Sequence, residues 1–194
     1  MSVSSIGIVW NPSKIDGDEV RAAVDEVFGT DAPIRWWETS IDDPGRGMAA
    51  EAVADGCEVV VAVGGDGTVR AVAEALAGTE VALGIVPQGT GNLLARNLGV
   101  PLTGMVAALE RVRDATPQHI DLGWVEFNGE TRAFAVMVGF GIDAQMLVET
   151  NDDLKDRAGW LAYVEAMGRA LAGTKMTDIT VTVDDREPEE VRGH

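Results

Sequence analysis

Two short stretches carry the residues best suited to chemistry. The first is Gly64-Gly65-Asp66-Gly67-Thr68, three glycines and one acid in five positions. It follows the apolar run Glu58–Val63 and leads into Thr68–Ala77, which has helical spacing and ends at Gly78. The second is Pro87-Gln88-Gly89-Thr90-Gly91-Asn92, which follows the apolar run Val81–Val86 and leads into the helical stretch Asn92–Leu98. A strand, a tight glycine turn and a helix start expose backbone N–H groups at the positive end of a helix dipole, a setting suited to an anion. Glycines lack a Cβ, so phosphate oxygens can come close to the backbone. Gly64, Gly65 and Gly67 therefore read as a phosphate cradle, with the Thr68 hydroxyl as cap or extra donor. A bare carboxylate at Asp66 would repel phosphate. It fits if it holds Mg²⁺ on the phosphates, directly or through water. The alternative is an aspartate that stabilises the turn through its own backbone. One glycine turn is a weak signal; a second, with Gly89 and Thr90, is a much stronger one.

The elements around these turns follow from two periodicities. Ser5–Trp10 is apolar and rich in β-branched residues, with Asn11-Pro12 as a turn after it. Val20, Val24, Val27 and Phe28 recur at helical spacing, and Asp16 or Asp18 can cap that helix. Ile34–Thr39 is a second strand, and alanine-rich Gly47–Asp55 a helix stopped by Gly56. Thr103–Asp114 is helical. Apolar strands alternating with helices predict a parallel sheet covered on both faces. In such sheets ligands bind beyond the carboxyl ends of the strands. The loops at those ends are 11–17, 39–46, 64–68 and 87–92.

After Thr116-Pro117 the pattern changes. His119–Phe127 and Thr131–Val138 flank Asn128-Gly129, a strong type I′ hairpin signal. Helical stretches follow at Ile142–Thr150 and Gly159–Ala172. Thr177–Asp184 then alternates with period two, and Asp185–His194 is polar and charged. The fold class expected is α/β: a parallel-sheet nucleotide-binding domain over 1–118, then the start of an antiparallel β-rich domain over 119–194. So few strands cannot close a sheet alone. Either they lean on the first domain or the chain is cut short. An exposed edge at Thr177–Asp184 would either favour self-association, such as a homodimer, or leave a mobile segment from about Asp184 onward.

Composition narrows the classes of function. The net charge of −17 argues against broad nucleic-acid binding and against simple electrostatic docking on anionic lipid. No run of about 18 apolar residues predicts a membrane span. The start of the chain lacks the basic and apolar regions of a secretory signal, and the single cysteine, Cys57, rules out an internal disulfide. These features point to the cytoplasm. Other motifs do less well. There is no Walker loop and no G-x-S-x-G elbow. Gly139–Ala144 (GFGIDA) has the form of a dinucleotide fingerprint but follows a hairpin. His119 and His194 have no ligand spacing for zinc. Trp36 and Trp37 point to opposite faces of a strand, as packing residues do.

G-G-D-G-T after an apolar strand, followed about 20 residues later by P-Q-G-T-G-N, resembles the diacylglycerol kinase catalytic family, which includes bacterial lipid kinases and sphingosine kinases. Asn11-Pro12, Thr39 and G-F-G-I-D-A fit it too. The resemblance implies ATP- and Mg²⁺-dependent phosphorylation of a lipid hydroxyl, by a peripheral enzyme at a membrane surface. It would place Asn11, Pro12 and Thr39 at the nucleotide, and Gly64–Thr68 and Thr90 at its phosphates. Asp143 would face the lipid head group. The implied architecture is an α/β nucleotide domain followed by a lipid-binding β-sandwich.

The sequence departs from the family pattern in three ways. Arg70-Ala71 stands where Asn-Glu is common. The glycine expected soon after Asn-Pro comes late, at Gly17. Family members are also longer, and the carboxylate proposed as their general base lies beyond His194. Two other readings stay open: an NAD kinase-like enzyme with a soluble substrate, and a nucleotide-binding regulatory module without catalysis.

Overall fold

A computed structural model describes residues 5–139, 177–182 and 187–193 of the chain. The chain divides into two compact units, Met1–Met137 and Val138–His194.

The first unit alternates strand and helix: β1 (Ile6–Trp10), α1 (Gly17–Phe28), β2 (Ile34–Glu38), α2 (Arg46–Ala54), β3 (Val59–Gly64), α3 (Asp66–Leu76), β4 (Ala82–Pro87), α4 (Leu93–Asn97) and α5 (Met105–Asp114). The four strands form a parallel sheet in the order β2-β1-β3-β4. Ile8 lies opposite Trp36 on one side and Val61 on the other. The near-continuous apolar strands predict this parallel sheet, and its core has two sides. Ile6, Ile8, Val59, Val61 and Val63 pack with Val20, Val24 and Val27 of α1 and Leu109 of α5. Val9, Val60 and Ala62 pack with Ala49 and Ala52 of α2, Val72 of α3 and Leu94 of α4. Alternate residues of one strand thus feed opposite faces. Trp36 joins the first cluster and Trp37 the second. Each fully buried valine contributes about 1.5–3 kcal/mol from area alone.

Helix starts and stops follow local chemistry. Asp16, of the two candidates, caps α1 by accepting the Asp18 N–H at 2.8 Å. Gly56 closes α2 at φ +78° and donates its N–H to the Val53 carbonyl. Sequence spacing starts α3 at Thr68, but the helix begins at Asp66. The turn proper is only Gly64-Gly65, because an acid is favourable in the first helical turn and Gly67 does not prevent helix there.

The hairpin is β5 (Gly123–Phe127) and β6 (Glu130–Phe134), antiparallel, with Asn128 at φ +52° and Gly129 at φ +78°. Two successive positive φ values are what a type I′ turn requires. This hairpin falls in the first compact unit.

In the second unit, β7 (Thr177–Val181) pairs antiparallel with β8 (Glu189–Gly193). Where a mobile segment is one of the two expectations, residues 189–193 return as a strand. Asp178 stands opposite Arg192, and their side chains pair at 3.1 Å, a cross-strand ion pair that favours this register. The helices expected at Ile142–Thr150 and Gly159–Ala172 lie outside the described residues. Among the described residues no helix is long and apolar enough to cross a membrane.

Candidate phosphate-binding site

The sheet order sets where a site can form. From β1 the chain goes out to β2, then returns to β3 on the other side of β1. The carboxyl ends of β1 and β3 therefore flank a topological switch point, where a crevice opens. Asn11 follows β1, and its backbone N–H donates to the Val63 carbonyl at 3.0 Å. Its Oδ1 accepts from the Ser13 N–H at 2.9 Å and the Ser13 hydroxyl at 2.7 Å, which closes the turn at exposed Pro12. Its Nδ2 donates to Thr68 Oγ1 at 3.4 Å, across the switch point. Thr68 is buried, so its hydroxyl serves Asn11 rather than an open surface. Thr39 is also buried, at the end of β2, with its N–H on the Trp10 carbonyl.

The two glycine loops lie against each other. The Gln88 N–H donates to the Gly64 carbonyl at 2.8 Å. A Cβ on Gly89 would stand 2.8 Å from the Gly65 Cα, too close for any side chain. Asp66 fastens the two. Its Oδ2 accepts the Asn92 N–H at 2.8 Å and its Oδ1 the Leu93 N–H at 2.6 Å. Asn92 holds its own loop: it sits in the left-handed region, and its Oδ1 accepts the Gly89 N–H at 2.9 Å. Asparagine tolerates that backbone better than most residues. The sequence offered two roles for Asp66, a cation ligand or a brace for its own turn. The geometry adds a third, a clamp onto the backbone of the other loop, which spacing alone does not reveal.

The clamp decides which helix start is open to an anion. At α4, Asp66 already supplies negative charge to the first N–H groups. At α3, Gly65 provides no side-chain cap. The first N–H groups of a helix have no intrahelical partner. Nothing lies within 4 Å of the place a Gly67 Cβ would take, and Gly67 is exposed. The bare backbone faces open space there. Thr90 is exposed on the second loop. Asp143 lies outside the described residues.

Among the described residues no group of three His, Cys, Asp or Glu side chains could hold a metal ion by itself. Asp66 could give Mg²⁺ one ligand, since each carboxylate oxygen keeps a lone pair beyond the N–H it accepts. Mg²⁺ commonly takes one or two carboxylates, with phosphates and water completing the shell.

Residues 8–125 match the diacylglycerol kinase catalytic domain. The chain belongs to this family. It is 36% identical over 163 residues to a Stenotrophomonas maltophilia protein named "probable lipid kinase YegS-like", covering 81% of this chain and 52% of that protein. A Mycobacterium tuberculosis diacylglycerol kinase is 34% identical over 147 residues, 73% of this chain and 46% of that one. The chain thus spans about half the length of the curated relatives it matches. A solved diacylglycerol kinase of Bacillus anthracis superposes with a TM-score of 0.63 at 20% identity, over 99% of this chain and 64% of that one. That likeness establishes the shared fold.

This diacylglycerol kinase catalytic domain carries a charged cluster one helical turn and more beyond Asp66. Glu74 of α3 has a side chain only 2% exposed. Its Oε2 accepts from Arg70 at 2.8 Å and from the Ala133 N–H of β6 at 2.9 Å. Arg46 Nε and Arg132 Nη1 stand 3.2 and 4.0 Å from Oε1, which makes no hydrogen bond. Burying a carboxylate is costly without such partners. The i,i+4 spacing of Arg70 and Glu74 was visible in the sequence as a helical pair. The convergence of Arg46 and Arg132 from elsewhere was not. The departure at Arg70-Ala71 thus has a local counterpart: Arg70 touches Glu74 through Nη1.

Proposed function

We propose that the chain is the nucleotide-binding part of an ATP-dependent lipid kinase, which moves the terminal phosphoryl group of ATP to a lipid hydroxyl. The observation that carries this reading is the uncapped start of α3, open at Gly67, next to a second glycine loop fixed by Asp66. In this reading the nucleotide phosphates meet the bare backbone at Gly65 and Gly67. Asn11 and Pro12 border the nucleotide from the end of β1, and Thr39 supports it from the end of β2. Thr68 acts through Asn11, and Thr90 reaches the phosphates from the second loop. Mg²⁺, with Asp66 as one ligand, neutralises charge on the phosphates. Residues 1–118 form the nucleotide domain, and 119–194 begin the part that meets the lipid at a membrane surface, with Asp143 toward the head group. In phosphoryl transfer most of the protein's work is positioning and electrostatics, which a rigid clamped loop pair suits.

Calorimetry with Mg·ATP tests the binding half, and transfer from radiolabelled ATP to dispersed diacylglycerol tests the chemistry. Saturable Mg·ATP binding that is lost in Gly67→Val supports the reading. No binding of Mg·ATP to the folded protein overturns it.

A further inference from the structure

Arg70 and Asp66 stand four residues apart on α3, and both line a cavity of about 130 Å³. Its other walls include Val69, Leu94, Phe134 and Val136. A volume of this size takes a phosphate group and the first carbons of a chain, not a whole ligand. The wall is apolar except at those two side chains.

The charge balance around Glu74 leaves Arg70 in surplus. Three guanidinium groups, of Arg46, Arg70 and Arg132, face two carboxylates, Glu74 and Glu130. Arg46 and Arg132 both approach Oε1 and so neutralise the buried carboxylate without help from Arg70. Arg70 gives Glu74 a single contact, from Nη1. Its remaining donors have no protein acceptor among the described residues, and its side chain is 37% exposed. Glu74 fixes the guanidinium in place without consuming its fork. A planar fork held this way suits two oxygens of one phosphate.

The geometry points to Arg70 as an oxyanion-binding residue whose ligand is a phosphate joined to an apolar tail. The phosphate oxygens sit on the free edge of the Arg70 fork, away from Asp66, whose carboxylate is not bare because it accepts the Asn92 and Leu93 N–H groups, and the tail runs along Val69, Leu94, Phe134 and Val136. The ligand class is a phosphate-bearing lipid rather than a neutral diglyceride or a free phosphate. That this lipid is the acceptor rests on the kinase reading; that it binds does not.

The test is calorimetry on the whole protein with four probes: dihexanoyl phosphatidate, dihexanoylglycerol, inorganic phosphate and Mg·ATP. The wild type should bind the phosphatidate well ahead of the diglyceride and of inorganic phosphate. Arg70→Gln should weaken phosphatidate about tenfold or more, the scale of a charge-assisted contact, and leave Mg·ATP affinity unchanged. Arg70→Lys keeps a cation for Glu74 but loses the fork, so its loss should be intermediate, and it guards against misfolding of the first variant. Equal binding of phosphatidate and diglyceride overturns the inference. So does inorganic phosphate binding as well as phosphatidate, or a loss confined to Mg·ATP. A wild type that binds phosphatidate but not Mg·ATP would overturn the kinase reading while sustaining this one.

Discussion

Gly65 and Gly89 meet backbone to backbone: a Cβ on Gly89 would lie 2.8 Å from the Gly65 Cα and 2.9 Å from Asn92 Oδ1. The missing side chain of Gly89 makes room for the neighbouring loop. Gly89→Ala should therefore destabilise the protein by about 1–3 kcal/mol, the cost of forcing atoms into a filled space. Urea unfolding measures it. An unchanged midpoint would show that the loops are not locked together.

Gly67→Ala should behave in the opposite way. Its Cβ meets nothing, and alanine is favoured over glycine within a helix by roughly 0.5–1 kcal/mol. Stability should hold or rise slightly while Mg·ATP affinity falls, because the methyl group stands where phosphate must come. Unfolding and calorimetry on the same variant separate the two effects. Unaltered ATP affinity would place the nucleotide elsewhere.

Asp66→Asn tests the clamp. Asparagine offers one carbonyl oxygen to two N–H groups and turns its own amide toward the other. The Asn92 and Leu93 amides should exchange with solvent faster, and global stability should fall by about 1–3 kcal/mol. A residue that only held a cation would spare the fold when substituted; the two hydrogen bonds say otherwise. Unchanged exchange at both amides would remove the clamp from the account.

Glu74→Gln should loosen the hairpin before it melts the sheet. The amide can still accept from Arg70 or Ala133, but three arginines lose their shared counter-charge. Faster exchange at the Ala133 amide is expected, with a stability loss of about 1–3 kcal/mol, smaller than for a fully buried pair because the arginines reach water. A double-mutant cycle with Arg70→Gln should show coupling, since the residues touch. Additive effects would mean that the pair does not act as a unit.

Much of the fold could be read from residue order. Val59–Val63 is apolar throughout because β3 is covered on both faces, and Asn128-Gly129 marks a turn that few other pairs can make. Both signals are local. Asp66 is different. Its type is visible, but the N–H groups it accepts belong to residues that approach only when β3 and β4 pair. Glu74 is hidden for the same reason: a glutamate on a helix reads as solvent-facing until Arg46 and Arg132 arrive from other elements. The strand at Glu189–Gly193 was missed because its charged residues look like a tail. Opposite Asp178, however, Arg192 is a reason to pair.

The Asp66 clamp joins positions 26 and 27 residues apart, with a helix and a strand between them. Closing so long a loop costs entropy that local contacts do not repay. The cradle should thus be among the last features to form as the chain folds, after β4 has docked beside β3. A peptide that stops before Pro87 would own every glycine of the first turn yet have no partner for Asp66. Its carboxylate would be free to repel the phosphate that the finished protein is shaped to accept.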